Sequence, residues 1–100
     1  MSDAIRSFQG KSPSIGQRVF IDPKSVVIGD VLLGDDVSVW PMAVIRGDVN
    51  SIKVGNACSI QDGVVLHITH DGPYTSGGQP LILGQGITIG HRAVLHGCTV

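Results

Sequence analysis

Aliphatic residues return every six positions through most of this 100-residue chain: Ile15, Ile21, Val27, Leu33, Val39 and Ile45, then Val54, Ile60 and Leu66, then Leu83, Ile89 and Leu95. A fixed period this short belongs to a solenoid, and six residues are one short strand plus a corner of a parallel β-helix. Three such hexads make a triangular coil of 18 residues, with Ile15 to Leu32 as the first coil and Leu33 to Asn50 as the second. The third coil starts at Val54 after a three-residue insertion, and the fourth at Leu83 after a longer one. Both insertions fall at the same corner, where a solenoid tolerates loops.

The register divides the chain into an arm, residues 1 to 14, outside the repeat, and an all-β β-helix domain, residues 15 to 100, of about four coils with a loop at 70 to 80. That loop is rich in Gly, Pro and Ser, as a surface excursion should be. Four residues after the inward position comes a second small or β-branched slot, held by Val19, Val31, Val37, Ala43, Cys58, Val64 and Ala93. Cys58 is therefore expected as a small buried hydrophobe. Gly16, Gly34, Gly55 and Gly84 each follow the first inward residue of a coil, which suits a tight corner or close approach of neighbouring coils. The repeat is still in register at Val100, with no cap for the last coil, so truncation at the C-terminus of a longer protein is expected.

Composition narrows the function classes. The net charge of −1, the few aromatic residues and the lack of a basic cluster give no support to nucleic-acid binding. No apolar run approaches the roughly 20 residues of a membrane span, and the N-terminus lacks the apolar core of a signal peptide. A cytoplasmic protein without membrane contact is the expectation.

Equivalent positions in successive coils lie roughly 4.8 Å apart, so the register names the neighbours. The residue after the third inward position reads Ile28, Arg46, His67 and His96 down the coils. Two imidazoles one rung apart can converge on a Zn²⁺ about 2.0–2.1 Å from each nitrogen. His91 is the natural third ligand, but it sits two residues after Ile89, across a corner, and should point away from the pair. A homotrimer of triangular solenoids resolves this, with His91 of one chain meeting His67 and His96 of the next. Gln61 and Asp62 lie one rung before His91 and are candidates to hold water in the same cleft. Arg46 and Asp48 read as an ion pair across the interface, Trp40 as packing at a subunit contact, and Tyr74 as a loop residue able to overhang the cleft. His70, at the start of the loop, is either plainly solvent-exposed or a mobile proton carrier suited by its near-neutral pKa. Cys98, two residues after His96, is a weaker ligand candidate. A single wall histidine is ordinarily a surface residue; the shared column is what favours metal binding here.

The segments Ile45-Arg46-Gly47-Asp48, Ile60-Gln61-Asp62-Gly63-Val64-Val65-Leu66-His67 and Gly90-His91-Arg92-Ala93-Val94-Leu95-His96-Gly97 resemble the motifs of gamma-class carbonic anhydrases. The resemblance runs from about Ile15 to the last residue, and is greatest to the bacterial carbonic-anhydrase-like branch of these hexapeptide-repeat proteins. It implies a left-handed β-helix, an exception to the usual right-handed crossover, and a homotrimer with a metal at each interface. By the family's pattern the ligands are His67 and His96 of one chain and His91 of its neighbour. Arg46 and Asp48 match the intersubunit ion pair, Gln61 a residue that hydrogen-bonds water at the metal, and Asp62 the adjacent acid. The implied activity is reversible hydration of carbon dioxide to bicarbonate by hydroxide generated at Zn²⁺; imidazole ligands suit Fe²⁺ or Co²⁺ as well, and His70 is this chain's own candidate for the proton carrier. Two departures stand out: the family archetype has glutamates where this chain has His70 and Val49. The same architecture also hosts acyltransferases and acyl-CoA thioesterases, and a non-catalytic metal-binding trimer fits the missing glutamates.

Overall fold

The computed structural model describes residues 3 to 100 and contains eleven strands: β1 (Ile5–Arg6), β2 (Ser14–Ile15), β3 (Phe20–Ile21), β4 (Val26–Leu33), β5 (Ser38–Val39), β6 (Val44–Val54), β7 (Ser59–Ile60), β8 (Val65–His67), β9 (Leu81–Leu83), β10 (Thr88–Ile89) and β11 (Val94–His96). All pair in parallel with the coil before or after, giving a left-handed parallel β-helix. The first face stacks β2, the end of β4, the end of β6 and β9. The second stacks β3, β5, β7 and β10. The third stacks β1, the start of β4, the start of β6, β8 and β11.

The six-residue register and the pairing agree residue by residue. Ile15 meets Leu33, which meets Val54 and then Leu83; Ile21 meets Val39, then Ile60 and Ile89; Val27 meets Ile45, then Leu66 and Leu95. In the middle coils these side chains are buried, and each contributes about 1.5–3 kcal/mol relative to exposure. The second inward slot is equally buried at Val31, Val37, Ala43, Cys58 and Val64. Ser25 takes that slot in the first coil, and its hydroxyl donates to the Asp22 carbonyl at 2.6 Å.

Two corners are tight and repeat a backbone feature. The residue three after the inward position has a left-handed φ at Arg18, Asp36, Ala57 and Gly86 on one corner, and at Met42, Gly63 and Arg92 on the next. At the second of these corners Ala43, Val64 and Ala93 donate their N–H to Trp40, Gln61 and Gly90, as in a type II turn. At the first corner a side-chain ladder links the coils: Asp35 accepts from the Gln17 N–H at 2.8 Å and Asn56 accepts from the Asp35 N–H at 2.9 Å. Gly34 is required there by proximity, since a Cβ would lie 2.9 Å from the Asn56 nitrogen. Its φ is unexceptional, so close approach rather than turn geometry explains the glycine.

The third corner is open. Here β6 carries the extra residues 49 to 51, and the pairing of β4 with β6 slips between Gly29 and Val31. One rung later the chain leaves on the long loop, whose two limbs are tied by Thr69 and Gln79 donating N–H to each other's carbonyl at 2.9 Å. Ile68 and Leu81, on either side of the loop, are both buried and continue the core through the interruption.

The stretch before Ile15 contributes more than an arm. Ile5–Arg6 pairs with Val27–Ile28, extending the third face, and Ala4 is buried against it. A two-residue strand carries no period, so nothing in the spacing marks it. Residues 1 and 2, part of the same stretch, lie outside the described residues.

Candidate metal centre

On the third face the tripeptide Val-Leu-His occurs twice, as β8 and β11, and the two copies pair position for position. Because side chains alternate along a strand, burying Leu66 and turning Leu95 inward sends both histidines outward on the same column. The His67 and His96 rings stand edge to face, 5.2 Å between centroids with their planes at 86°.

The rung above completes this group. Arg46 and Asp48 are two apart on β6 and so share its outer side. Arg46 Nη1 donates to Asp48 Oδ2 at 2.7 Å, and Asp48 Oδ1 accepts from the Val49 N–H at 2.9 Å and lies 3.0 Å from His67 Nε2. A carboxylate has no proton to give, so Nε2–H of His67 is the donor in this contact. Burial pushes the Asp48 carboxyl upward, but the His67 hydrogen bond, the Val49 N–H and the charges of Arg46 and His67 outweigh it and hold the group below its usual value. Within one chain, then, Arg46 and Asp48 pair with each other. The contact between Asp48 and His67 was not anticipated from spacing, although the shared outer side of Arg46 and Asp48 was available to suggest it.

Asp62 and His91 occupy the same turn position in successive coils, between β7 and β8 and between β10 and β11, and Arg92 donates its N–H to the Asp62 carbonyl at 2.9 Å. His91 Nδ1 is 3.4 Å from Asp62 Oδ1. Both side chains border a cavity of about 290 Å³ with Trp40, Ser59 and Gln61. On the other side of the turn a second cavity of about 570 Å³ is lined by Met42, Arg92, His91 and Asp62. Trp40 packs on Phe20 with ring centroids 5.0 Å apart, and both rings remain substantially exposed.

The remaining candidates fall elsewhere. His70 is exposed and lines a niche of about 90 Å³ within its own loop, with Thr69, Tyr74 and Thr75 among its neighbours. Tyr74 is almost wholly exposed. Both cysteines belong to the interior: Cys58 donates Sγ–H to the Gly84 carbonyl at 3.0 Å, and Cys98 packs against the core aliphatics. Among the described residues no three His, Cys, Asp or Glu side chains converge as a metal site. The donor set nevertheless suits a metal shared between chains: a stacked imidazole pair, one member oriented by a carboxylate, with a third imidazole presented on the neighbouring face.

Residues 12–47 match the family model described as bacterial transferase hexapeptide (six repeats). The chain is 53% identical over its whole length to Protein YrdA of Escherichia coli, covering 54% of that protein. It is 46% identical over 86 residues, 86% of this chain and 50% of the other, to a probable carbonic anhydrase of Methanocaldococcus jannaschii. Among solved structures, a hexapeptide transferase family protein from Anaplasma phagocytophilum superposes with a TM-score of 0.85 at 37% identity, covering 99% of this chain and 54% of that one. The repeat and the helix it builds define a hexapeptide-repeat protein, and over most of its length the chain is similar to proteins named as gamma-class or probable carbonic anhydrases. It spans about half the length of the curated relatives it matches.

Proposed function

We propose that this chain forms the metal-binding part of a homotrimeric carbonic-anhydrase-type lyase, hydrating carbon dioxide reversibly to bicarbonate at sites between subunits. The observation that carries the reading is the placement of His67 and His96 in one column of the third face, one rung apart, while His91 stands on the neighbouring corner. A pair of imidazoles makes a weak site alone, and a third from the next chain gives the three-histidine set of a catalytic metal. The exposed Phe20, Trp40 and Met42 near His91 suit burial against a neighbouring subunit.

When bound, Zn²⁺, or Fe²⁺ or Co²⁺ on the same donors, lowers the pKa of a water towards 7 and supplies a nucleophile for carbon dioxide. His67 enters this set already oriented through Nε2–H by Asp48, and Arg46 holds that carboxylate. Gln61 borders the cavity beside His91, where its amide can orient water and substrate oxygen. Asp62 holds the His91 ring from one rung away. His70 is the proton carrier of this reading, taking a proton near the site and passing it to buffer.

The test is stopped-flow carbon dioxide hydration by the full-length protein, with metal content measured on the same sample and His96→Ala as control. Metal-dependent hydration lost in the control is the expected result. A fully metallated trimer without hydration would overturn it. The hexapeptide transferase likeness makes acyl-CoA turnover, assayed with and without chelator, the outcome to look for in that case.

A further inference from the structure

We infer that Asn50 is a positioning residue that holds the 70 to 80 loop closed and thereby fixes where His70 stands. Asn50 belongs to the three extra residues at the open corner, two positions after Asp48. Its Nδ2 donates to the Thr69 carbonyl at 3.2 Å and to the Gly77 carbonyl at 3.1 Å. Thr69 is on the outgoing limb of the loop and Gly77 on the returning one, so one amide spans both. Its Oδ1 accepts the Ser51 N–H at 2.8 Å, which orients the amide so that its donors face the loop.

The loop is built to receive this clamp. Asp71 Oδ1 accepts from the Gly77 N–H at 2.7 Å, drawing the returning limb towards the residue after His70. Gly78 has a φ of +72°, and a Cβ there would lie 2.3 Å from the Thr69 carbonyl oxygen and 2.8 Å from Asn50 Nδ2. Only glycine lets the limbs and the amide meet. His70 sits between Thr69, which accepts from Asn50, and Asp71, which ties to Gly77. Its backbone is thus flanked on both sides by residues tied to Asn50 or to the returning limb. Asn50 also lies two positions along the same strand from Asp48, whose carboxylate orients His67. The loop and the stacked histidine pair are consequently referenced to one short segment of β6.

The donors, rather than the size of the side chain, carry the effect. Asn50→Asp keeps the acceptor for Ser51 but turns an oxygen towards two carbonyls. The experiment measures amide hydrogen exchange on the metal-loaded full-length protein, wild type against Asn50→Asp. Loss of two hydrogen bonds should raise exchange at Thr69, Gly77 and Gln79 by about tenfold or more, while Ile45 and Leu66 stay protected. Gly78→Ala, which opens the same junction from the other side, should give the same pattern. Unchanged loop exchange in both variants overturns the inference.

The link to proton transfer rests on the carbonic-anhydrase reading and has its own readout. In Asn50→Asp, hydration in weak buffer should fall severalfold and return to the wild-type rate with added imidazole. Faster loop exchange with an unchanged weak-buffer rate would overturn the placement of His70 by Asn50. A wild-type protein without hydration would defeat the functional reading, and loop exchange together with the NMR shift of the His70 ring would still decide the clamp.

Discussion

On the third face the His67 side chain is 20% exposed and its Nε2 meets Asp48 at 3.0 Å; around the corner His91 is 67% exposed and stands 3.4 Å from Asp62. The two groups carry similar residue types, an imidazole beside a carboxylate, yet one is packed, doubly partnered and electrostatically tuned while the other is loose. The cause is their place on the coil. His67 projects from a strand whose neighbours above and below are fixed by pairing, so its surroundings are set by register. His91 projects from a turn, where the Arg92 N–H to Asp62 carbonyl bond links the rungs and His91 itself lies outside any strand. In the proposed trimer, one chain supplies the packed histidine pair and its neighbour the looser His91.

The largest effect expected concerns completion itself. His91→Ala and His96→Ala should each strip the trimer of metal. Co-assembled one to one, they should recover metal at about a quarter of the interfaces, since random mixing pairs an intact His91 with an intact His67–His96 pair that often. Metal analysis of the mixed trimer checks this; no recovery would mean that the two faces do not share a metal. Next, Asp48→Ala should weaken metal affinity by about 10- to 100-fold, as loss of a carboxylate that orients a ligand histidine does. Asp62→Ala should weaken it less, because its contact with His91 is longer and more exposed. Competition with a chromophoric chelator ranks the two, and an equal loss would erase the contrast drawn between the faces.

A smaller effect appears in pH dependence. Asp48 is held below its usual value in the fold, so it binds fewer protons than in the unfolded chain and stabilises the fold above the ordinary carboxylate range. That contribution is lost as pH falls through the depressed value. The Tm difference between wild type and Asp48→Asn, measured on metal-free protein, should be full near neutrality and shrink below about pH 4. The smallest effect belongs to Arg18 and Asp36, paired at 2.7 Å on the surface, where the hydrogen bond from Arg18 likewise lowers the Asp36 carboxyl. Arg18→Ala should leave Tm almost unchanged at moderate salt.

The parts of this molecule legible in sequence are those where burial imposes one chemistry. The first inward position of every hexad is aliphatic, so the period survives from Ile15 to Leu95 and fixes the histidine column with it. The left-handed turn positions were illegible because Arg18, Asp36, Met42, Ala57 and Arg92 have nothing in common except a backbone angle. Ile52, Ile68 and Leu81 were hidden by the insertions, which shift the register beside them. Asn50 was hidden for a different reason: both of its amide donations end on backbone carbonyls, and carbonyls leave no trace in residue identity.

The asymmetry of the three corners has a consequence for change over time. At the first corner the coils are so close that a methyl group at Gly34 would strike the next turn, and residues cannot be added without breaking the ladder of Asp35 and Asn56. At the open corner the chain has already accepted one short and one long addition with Ile52, Ile68 and Leu81 still in the core. Variation in length is therefore channelled to a single edge of the prism, the edge that follows Asp48 and His67. Lineages descended from such a scaffold can remodel the approach to the histidines by lengthening or trimming that edge, without renegotiating how the coils stack.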